Sequence, residues 1–146
     1  MKTHEIVPGL HVRGYPGNLA PETKREAVAS LGLARVVALY GPPDPDFLRL
    51  LPGGYLHHPI PDGRRIDPAL VWIAKDLAAC LRAGAGAVLV HCHAGRNRAG
   101  LLAALAVREL RDLTGPQALD AVRAVRPSAV ANPAFEHFLL SLGRPS

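Results

Sequence analysis

A chain of 146 residues with 49% hydrophobic and 20% charged residues is long enough to bury a core, and its composition excludes disordered and fibrous classes. The formal net charge of +5 favours anionic partners. Aromatic residues make up only 5% and the basic residues are dispersed, so nucleic acid is disfavoured as a partner without being excluded. We expect one domain over residues 1–146.

The apolar runs and the two cysteines bear on where the protein works. Runs such as residues 86–90 and 99–107 are shorter than the roughly 18 residues that cross a bilayer, and the N-terminus lacks the apolar stretch of a secretion signal. These features predict a cytoplasmic protein with no membrane partner. Cys80 fits the apolar face of a helix, so we interpret it as a small buried residue rather than a redox partner of Cys92.

The first half of the chain alternates extended and helical patterns. Asp67 followed by Pro68 is typical of a helix start, and the apolar spacing continues that helix to about Arg82. The preceding patterns predict an extended segment at 6–12, a helix at 21–31, a buried strand at 35–40, a short helix at 44–51 and an extended run at 55–60.

The second half contains the strongest strand signal, the apolar residues 87–90, followed by a helix at 98–111 that is apolar nearly all round. Thr114 and Gln117 form a capping-box pattern for a helix at 116–125. Asn132 and Pro133 can open a last helix that ends near residue 142. The alternation of strands and helices predicts an α/β fold with a central, mostly parallel sheet of four to five strands flanked by helices.

The segment between that strand and the long helix, residues 91–100, carries the chemistry. A loop that runs into a helix N-terminus presents unpaired backbone N–H groups to one point, and with the helix dipole these form an anion site. Gly95 permits a tight turn there, and Arg98 can donate two parallel N–H bonds to phosphate oxygens.

Cys92 lies at the strand end, where the helix dipole and a nearby guanidinium favour thiolate over thiol. We expect Cys92 to be ionised near neutral pH. A thiolate in line with a bound phosphate can form a phosphocysteine, which divides one difficult hydrolysis into two easier displacements.

The pattern His91-Cys92-x-x-Gly95-x-x-Arg98 is similar to the H-C-x-x-G-x-x-R signature of the protein tyrosine phosphatase superfamily. The short chain resembles the compact dual-specificity-like branch. The resemblance implies a phosphatase that needs no metal or cofactor and acts on phosphotyrosine, phosphoserine or phosphothreonine of proteins. It also implies that His91 hydrogen-bonds the loop backbone. The implied substrate-binding residues are His93, Ala94, Gly95, Arg96, Asn97 and Arg98.

The same resemblance implies a general acid, since family members carry an aspartate on a loop some thirty residues before the cysteine. Asp62, in Pro59-Ile60-Pro61-Asp62-Gly63, stands at that spacing. Asp67 is the rival, but Pro68 after it makes helix capping the better explanation. A carboxylate on a loop can reach over the site to donate a proton.

Asn132 lies in the segment 126–133, which resembles a segment that approaches the catalytic loop in compact bacterial members. Two readings stay open, because Asn132 can orient water or substrate or can cap the last helix. His57 and His58 precede the acid and receive no role.

Two positions depart from the usual pattern. Ala99 stands where most relatives have serine or threonine, whose hydroxyl is thought to stabilise the departing thiolate, so we expect slow turnover. Asn97 resembles the loop of cysteine-type RNA 5′-triphosphatases, which lack the general acid, whereas Asp62 is present here. We therefore favour phosphomonoesters, with an RNA or nucleotide 5′-triphosphatase and a weak phosphate-binding module as alternatives.

Overall fold

The computed structural model describes all 146 residues and has five strands and six helices. In chain order these are β1 (His4–Val7), β2 (Leu10–Arg13), α1 (Pro21–Leu31), β3 (Leu33–Ala38), α2 (Pro45–Leu50), β4 (Tyr55–His57), α3 (Ala69–Arg82), β5 (Ala87–His91), α4 (Arg98–Arg111), α5 (Gly115–Val125) and α6 (Pro133–Leu140). None of these helices is both long enough and apolar enough to span a membrane.

The strands form one sheet in the order β1-β2-β5-β3-β4. Only β1 pairs antiparallel, with β2, and the remaining pairs are parallel. The predicted α/β class and mostly parallel sheet are confirmed. The sheet places the C-terminal ends of β2, β3 and β5 side by side, which is the edge where open α/β sheets bind ligands.

One predicted element was wrong. The single extended segment expected at 6–12 is a hairpin of β1 and β2, which turns at Gly9 with a φ of 86°. A glycine adopts this left-handed backbone without steric cost, and the pattern of apolar residues alone gave no sign of the reversal.

The remaining differences lie at element ends. The strand expected at 35–40 begins and ends two residues earlier, and the run at 55–60 is a strand only as far as His57. The last helix ends at Leu140 rather than near 142. The capping box of Thr114 and Gln117 is present as predicted, with each residue bonding the backbone N–H of the other.

Helices cover both faces of the sheet. Alternate residues of β5 explain how, because Val88 and Val90 belong to a large core with α3 to α6, while Ala87 and Leu89 belong to a small core with Phe47 of α2. A strand buried on both faces is a near-continuous apolar run, as this one is.

The helix α4 lies in the middle of the large core, and every residue from 99 to 107 is buried. Five of these nine residues are alanine or glycine, which lets neighbouring elements approach closely. The segment that carries Cys92 therefore connects a fully buried strand to a helix whose residues 99–107 are buried, and both of its ends are held rigidly.

Candidate active site

Residues 92–97, called the phosphate loop below, connect the end of β5 to the first turn of α4. Cys92 is 2% exposed and has a free thiol. Gly95, three residues after Cys92, has a φ of 68°, a left-handed conformation. A Cβ on Gly95 would also lie 2.4 Å from the backbone carbon of Arg13. The motif needs glycine here for both reasons, backbone conformation and close approach to the end of β2.

Four consecutive carbonyls of this loop are bound from outside it. The Tyr15 N–H donates to His93 at 3.0 Å, and the Val130 N–H donates to Arg96 at 3.1 Å. Arg126 donates from Nη2 to the Ala94 carbonyl at 3.0 Å and from Nε to the Gly95 carbonyl at 2.8 Å.

In a trans peptide unit the N–H points opposite to the C=O. Since the carbonyls of residues 93–96 are bound outside the loop, the N–H groups of residues 94–97 point to its other side. Successive N–H groups that converge in this way form a nest that attracts anions. Residues 94–97, which the sequence predicts as substrate-binding, therefore present backbone N–H groups on this side of the loop.

Arg98 lies at the first position of α4 and spans the gap between two loops. Its Nη1 donates to the Ile60 carbonyl at 3.1 Å, and its guanidinium lies 5.1 Å from the centre of the Tyr40 ring. Its Nε is buried and has no hydrogen-bond partner. An unpaired buried donor on a charged group is costly, so this N–H is available for an anion at the loop.

Asp62 belongs to residues 58–67, called the acid loop below. Its carboxylate accepts a hydrogen bond from Asn97 Nδ2 at 2.9 Å and another from Asn132 Nδ2 at 2.7 Å. Burial alone would raise the pKa of Asp62, but these hydrogen bonds, together with the positive charges of Arg98 and Arg96, hold that pKa below its ordinary value.

The rival aspartate, Asp67, is occupied differently. Its carboxylate accepts the Ala69 N–H at 2.9 Å, at the start of α3, and contacts His58 Nε2 at 2.8 Å. The structure therefore gives Asp67 the capping contact predicted for it, and it gives His58 a partner that the sequence did not indicate. His57 contacts the Gly41 carbonyl.

His91 is the last residue of β5 and directly precedes Cys92. The side chain is 1% exposed and packs against Tyr15, with ring centroids 6.1 Å apart. Burial lowers the pKa of His91 to about 4, against a smaller opposing effect of the Cys92 backbone. Neither ring nitrogen forms a well-directed hydrogen bond. The contact with the loop backbone that the resemblance implied is therefore present at Cys92 but poorly directed, and His91 also supports the loop by packing.

Asn132 caps α6 through Oδ1, which accepts the N–H groups of Ala134 and Phe135. Its Nδ2 donates to Asp62 and to the Gly63 carbonyl. One of the two open readings, helix capping, is thus confirmed, and the contact with the acid loop is additional. Ala99 is completely buried in the large core.

Sequence reasoning missed Arg126, Tyr15 and Tyr40. The rings of Tyr40 and Tyr15 meet edge to face at 5.6 Å, and Tyr40 meets His93 in the same way at 4.9 Å. Arg126 gave one usable signal, since it opens the segment that was expected to approach the catalytic loop. The tyrosines gave none, because each reaches the site from the end of a different strand.

A groove of about 780 Å³ adjoins the acid-loop side of the site. It is open to solvent, and polar side chains and apolar surface both line it beside Asp62. It is lined by Asp62, Gly63, Arg64, Asn97, Ala131, Asn132, Pro133, Ala134 and His137.

Comparisons with known proteins agree with this geometry. A family model described as Cyclin-dependent kinase inhibitor 3 (CDKN3) matches residues 51–119, which include the acid loop and the phosphate loop. Cyclin-dependent kinase inhibitor 3 of Rattus norvegicus is 43% identical over 74 residues, which are 49% of this chain and 34% of the rat protein.

Two human proteins match over almost all of this chain. Dual specificity protein phosphatase 15 is 26% identical over 97% of this chain and 46% of its own length. The crystal structure of human DUSP28 superposes with a TM-score of 0.76 at 26% identity, covering 94% of this chain and 89% of that one. The chain spans less than half the length of the rat protein and of dual specificity protein phosphatase 15.

The fold, the cysteine at the strand end and the glycine loop that leads into a helix define a member of the protein tyrosine phosphatase superfamily. Within it, the chain is similar in sequence and fold to the compact dual-specificity phosphatases.

Proposed function

We propose that this protein hydrolyses phosphomonoesters through a phosphocysteine on Cys92. The observation that carries the proposal is the set of donors around one point beside this thiol. The carbonyls of residues 93–96 are bound from outside the loop, so the four N–H groups of residues 94–97 point to the opposite side. The buried Nε of Arg98 has no hydrogen-bond partner. A phosphoryl group is an anion with several acceptor oxygens, and it matches such a set of donors.

In the first step the Cys92 thiolate forms a bond to phosphorus while the bond from phosphorus to the ester oxygen breaks. Asp62 gives its proton to the departing oxygen, which leaves as an alcohol or a phenol. Arg98 and the loop N–H groups stabilise the equatorial oxygens, whose charge is largest in the transition state.

In the second step a water attacks phosphorus and passes one proton to the Asp62 carboxylate. The phosphorus–sulfur bond breaks, inorganic phosphate leaves, and both the thiolate and the protonated acid are restored. Every proton and electron pair in these two steps is supplied by the protein, the ester or water.

Phosphotyrosine is the substrate we place first, with phosphoserine and phosphothreonine of proteins second. Tyr40 lies against Arg98 and His93, so an aromatic wall stands next to the phosphate site. A phenyl ester can pack edge to face on such a wall. Several relatives have names that refer to kinases or kinase phosphatases, which supports phosphoprotein substrates.

Asn97 is the observation that favours a second function, an RNA or nucleotide 5′-triphosphatase, because the resemblance of its segment to those enzymes remains. That reaction should proceed without Asp62. The third possibility is a catalytically weak phosphate-binding module, which would bind phosphate at the loop but show little or no hydrolysis.

One experiment separates these functions. Wild type, Cys92→Ser, Asp62→Asn and Asp67→Asn would be assayed, with chelator present, on phosphotyrosine peptide, phosphoserine peptide, phosphoinositide and triphosphorylated RNA. We expect Cys92→Ser to retain less than a few per cent of the rate while still binding phosphate. We expect Asp62→Asn to lower the rate on phosphotyrosine by about 10² to 10⁴-fold.

Asp67→Asn is the matched control, since it makes the same chemical change on the same loop at a residue that caps α3. It should retain the wild-type rate on phosphotyrosine. Clear turnover by Cys92→Ser would rule out Cys92 as the nucleophile. Full activity of Asp62→Asn on triphosphorylated RNA but none of the wild type on phosphotyrosine would establish the second function instead.

A further inference from the structure

The side chain of Asn97 contacts both loops that flank the phosphate loop. Its Oδ1 accepts the backbone N–H groups of Ala131 at 2.8 Å and of Asn132 at 3.1 Å. Its Nδ2 donates to Asp62 Oδ2 at 2.9 Å. Two backbone donors can be met only by the amide oxygen, so they fix the orientation of the amide and direct its nitrogen to Asp62.

The segment that Asn97 holds also carries the second donor to Asp62. Asn132 bonds the other carboxylate oxygen of Asp62 at 2.7 Å and the Gly63 carbonyl at 2.9 Å. Each oxygen of this carboxylate therefore has its own amide donor. One donor comes from the phosphate loop itself, and the other comes from a residue whose backbone the phosphate loop binds.

This segment is strained. Val130, which is completely buried, has a φ of 57°, and a β-branched residue rarely adopts this left-handed conformation. Such strain costs on the order of 1–3 kcal/mol and persists only where several contacts impose it. Three contacts hold Val130 and the residues after it. The Arg123 side chain donates to the Val130 carbonyl, and the Val130 N–H donates to the backbone carbonyl of Arg96. The next two N–H groups donate to Asn97 Oδ1.

We infer that Asn97 is a positioning residue for Asp62, which it holds beside the phosphate loop both directly and through the segment that carries Asn132. This inference rests on the proposed role of Asp62 as the general acid. Asn97 stands immediately before Arg98, so the same short stretch of backbone positions both the arginine that would bind phosphate and the amide that bonds Asp62. A phosphate drawn in by Arg98 then meets an acid that is already oriented.

The two amide donors also lower the pKa of Asp62, because hydrogen bonds to a carboxylate favour its ionised form. An ionised carboxylate cannot donate the proton that a general acid supplies. The charged groups that face Asp62 act in the same direction: Arg96 and Arg98 on the phosphate loop and its first helical turn lower its pKa. Arg64, on the acid loop, and His137, on α6, line the adjoining groove. Asn97 therefore improves placement and reduces the fraction of protonated acid at neutral pH.

The test compares Asn97→Ala with Asn97→Asp. Aspartate has nearly the size of asparagine and keeps an oxygen for the N–H groups of residues 131 and 132, but it has no donor for Asp62. On phosphotyrosine near neutral pH we expect kcat to fall about 10 to 100-fold in both variants, as misplacement of a reacting group does. On an aryl phosphate with a nitrophenol leaving group the loss should stay within about threefold, since that phenol departs without a proton.

Two readouts separate positioning from simple structural damage. In both variants the high-pH limb of kcat/KM should move to higher pH while the plateau falls, because Asp62 loses a donor that favoured its ionised form. In the Asp62→Asn background, Asn97→Ala should change the rate by less than about twofold, because the two residues act as one unit. Thermal unfolding of each variant provides the folding control.

A wild-type rate for Asn97→Asp on phosphotyrosine would overturn the inference, and so would an undiminished effect of Asn97→Ala in the Asp62→Asn background. Either result would leave the proposed function intact if Asp62→Asn alone is slow. If Asp62→Asn alone keeps the wild-type rate, the acid assignment fails and the inference fails with it.

Discussion

The two loops that form the site are held by different means. The phosphate loop is fixed through its backbone, with carbonyls bound from outside and Gly95 packed against the end of β2. The acid loop is held by side chains from distant parts of the chain: amides 35 and 70 positions beyond Asp62 bond its carboxylate, the second of them also bonds the Gly63 carbonyl, and Arg98 bonds the Ile60 carbonyl. The backbone-held loop can be identified from a short motif, whereas the side-chain-held loop depends on pairings that no local pattern contains.

This difference predicts how each loop responds to mutation. A change in the backbone of the phosphate loop should move several donors at once, because they share that backbone. A change at a side-chain amide that bonds the Asp62 carboxylate should affect mainly proton transfer.

The largest effect is expected for Gly95→Ala. The new Cβ would meet the Arg13 backbone at 2.4 Å and would sit on a residue with a φ of 68°, so the whole nest of N–H groups must shift. We expect a loss of more than about 10²-fold in kcat/KM for every substrate, whatever its leaving group, since a displacement near 1 Å costs that much. Steady-state assays on nitrophenyl phosphate and phosphotyrosine would measure it.

Gly53→Ala is the matched control. Gly53 has a φ of 79° but nothing lies within 4 Å of its would-be Cβ, so the substitution brings the same backbone strain without the clash. It should lower stability by about 1 kcal/mol and leave activity unchanged. Equal activity losses in the two variants would mean that strain alone, rather than the position of the phosphate loop, accounts for the effect of Gly95→Ala.

An intermediate effect is expected for Arg126→Ala, which removes the two donors from the Ala94 and Gly95 carbonyls. Without these bonds the two peptide units can rotate, which turns the N–H groups of residues 95 and 96 away from a bound anion. We expect inorganic phosphate to inhibit about tenfold less well, in keeping with the loss of charge-assisted hydrogen bonds. Competitive inhibition constants for phosphate and vanadate would measure this change.

Arg123→Ala serves for comparison, because Arg123 bonds two carbonyls of the neighbouring turn, those of Ala129 and Val130, and none of the phosphate loop. Inhibition by phosphate should remain close to wild type in that variant. If both variants lose phosphate binding equally, the outside contacts of Arg126 have no special role.

The smallest effect is expected for Ala99→Ser. A hydroxyl at this position could donate to the sulfur as the phosphocysteine breaks down, and the Asn97 amide does not replace it because its nitrogen is directed to Asp62. We expect the wild type to show a burst of phenol release and the variant to turn over several-fold faster with the same burst rate. Rapid-quench measurements would detect both, and the absence of a burst in the wild type would contradict the prediction.

The comparison also explains which parts of the molecule could be predicted. Strand β5, helix α4 and the motif between them are contiguous in sequence, so apolar pattern and glycine spacing were sufficient. The hairpin at Gly9 was missed because a reversal depends on backbone conformation. The contact of Asn132 with Asp62 joins loops 70 residues apart, and helix capping already accounted for the asparagine. Arg126 was missed because its partners are backbone carbonyls, which have no sequence signature.

His91 has a consequence for the tolerance of the fold to acid. Its pKa is about 4 in the folded protein and near 6.5 when exposed, so between these values the unfolded chain binds a proton that the folded one does not. Stability is therefore fully present above pH 6.5 and declines as the pH falls toward 4, by up to about 3 kcal/mol for a shift of this size.

Carboxyls with lowered pKa values, such as that of Asp62, begin to reduce stability only at lower pH, near and below the ordinary value for aspartate. His91→Gln should flatten the loss between pH 6.5 and 4.5 in urea unfolding, and an unchanged slope would contradict this account. Acid favours the protonated Asp62 that the proposed mechanism needs, while the buried imidazole of His91 sets an acid limit on the stability of the folded state. The strand end that carries Cys92 thus confines the protein to a narrower range of pH than the proposed proton donor alone would require.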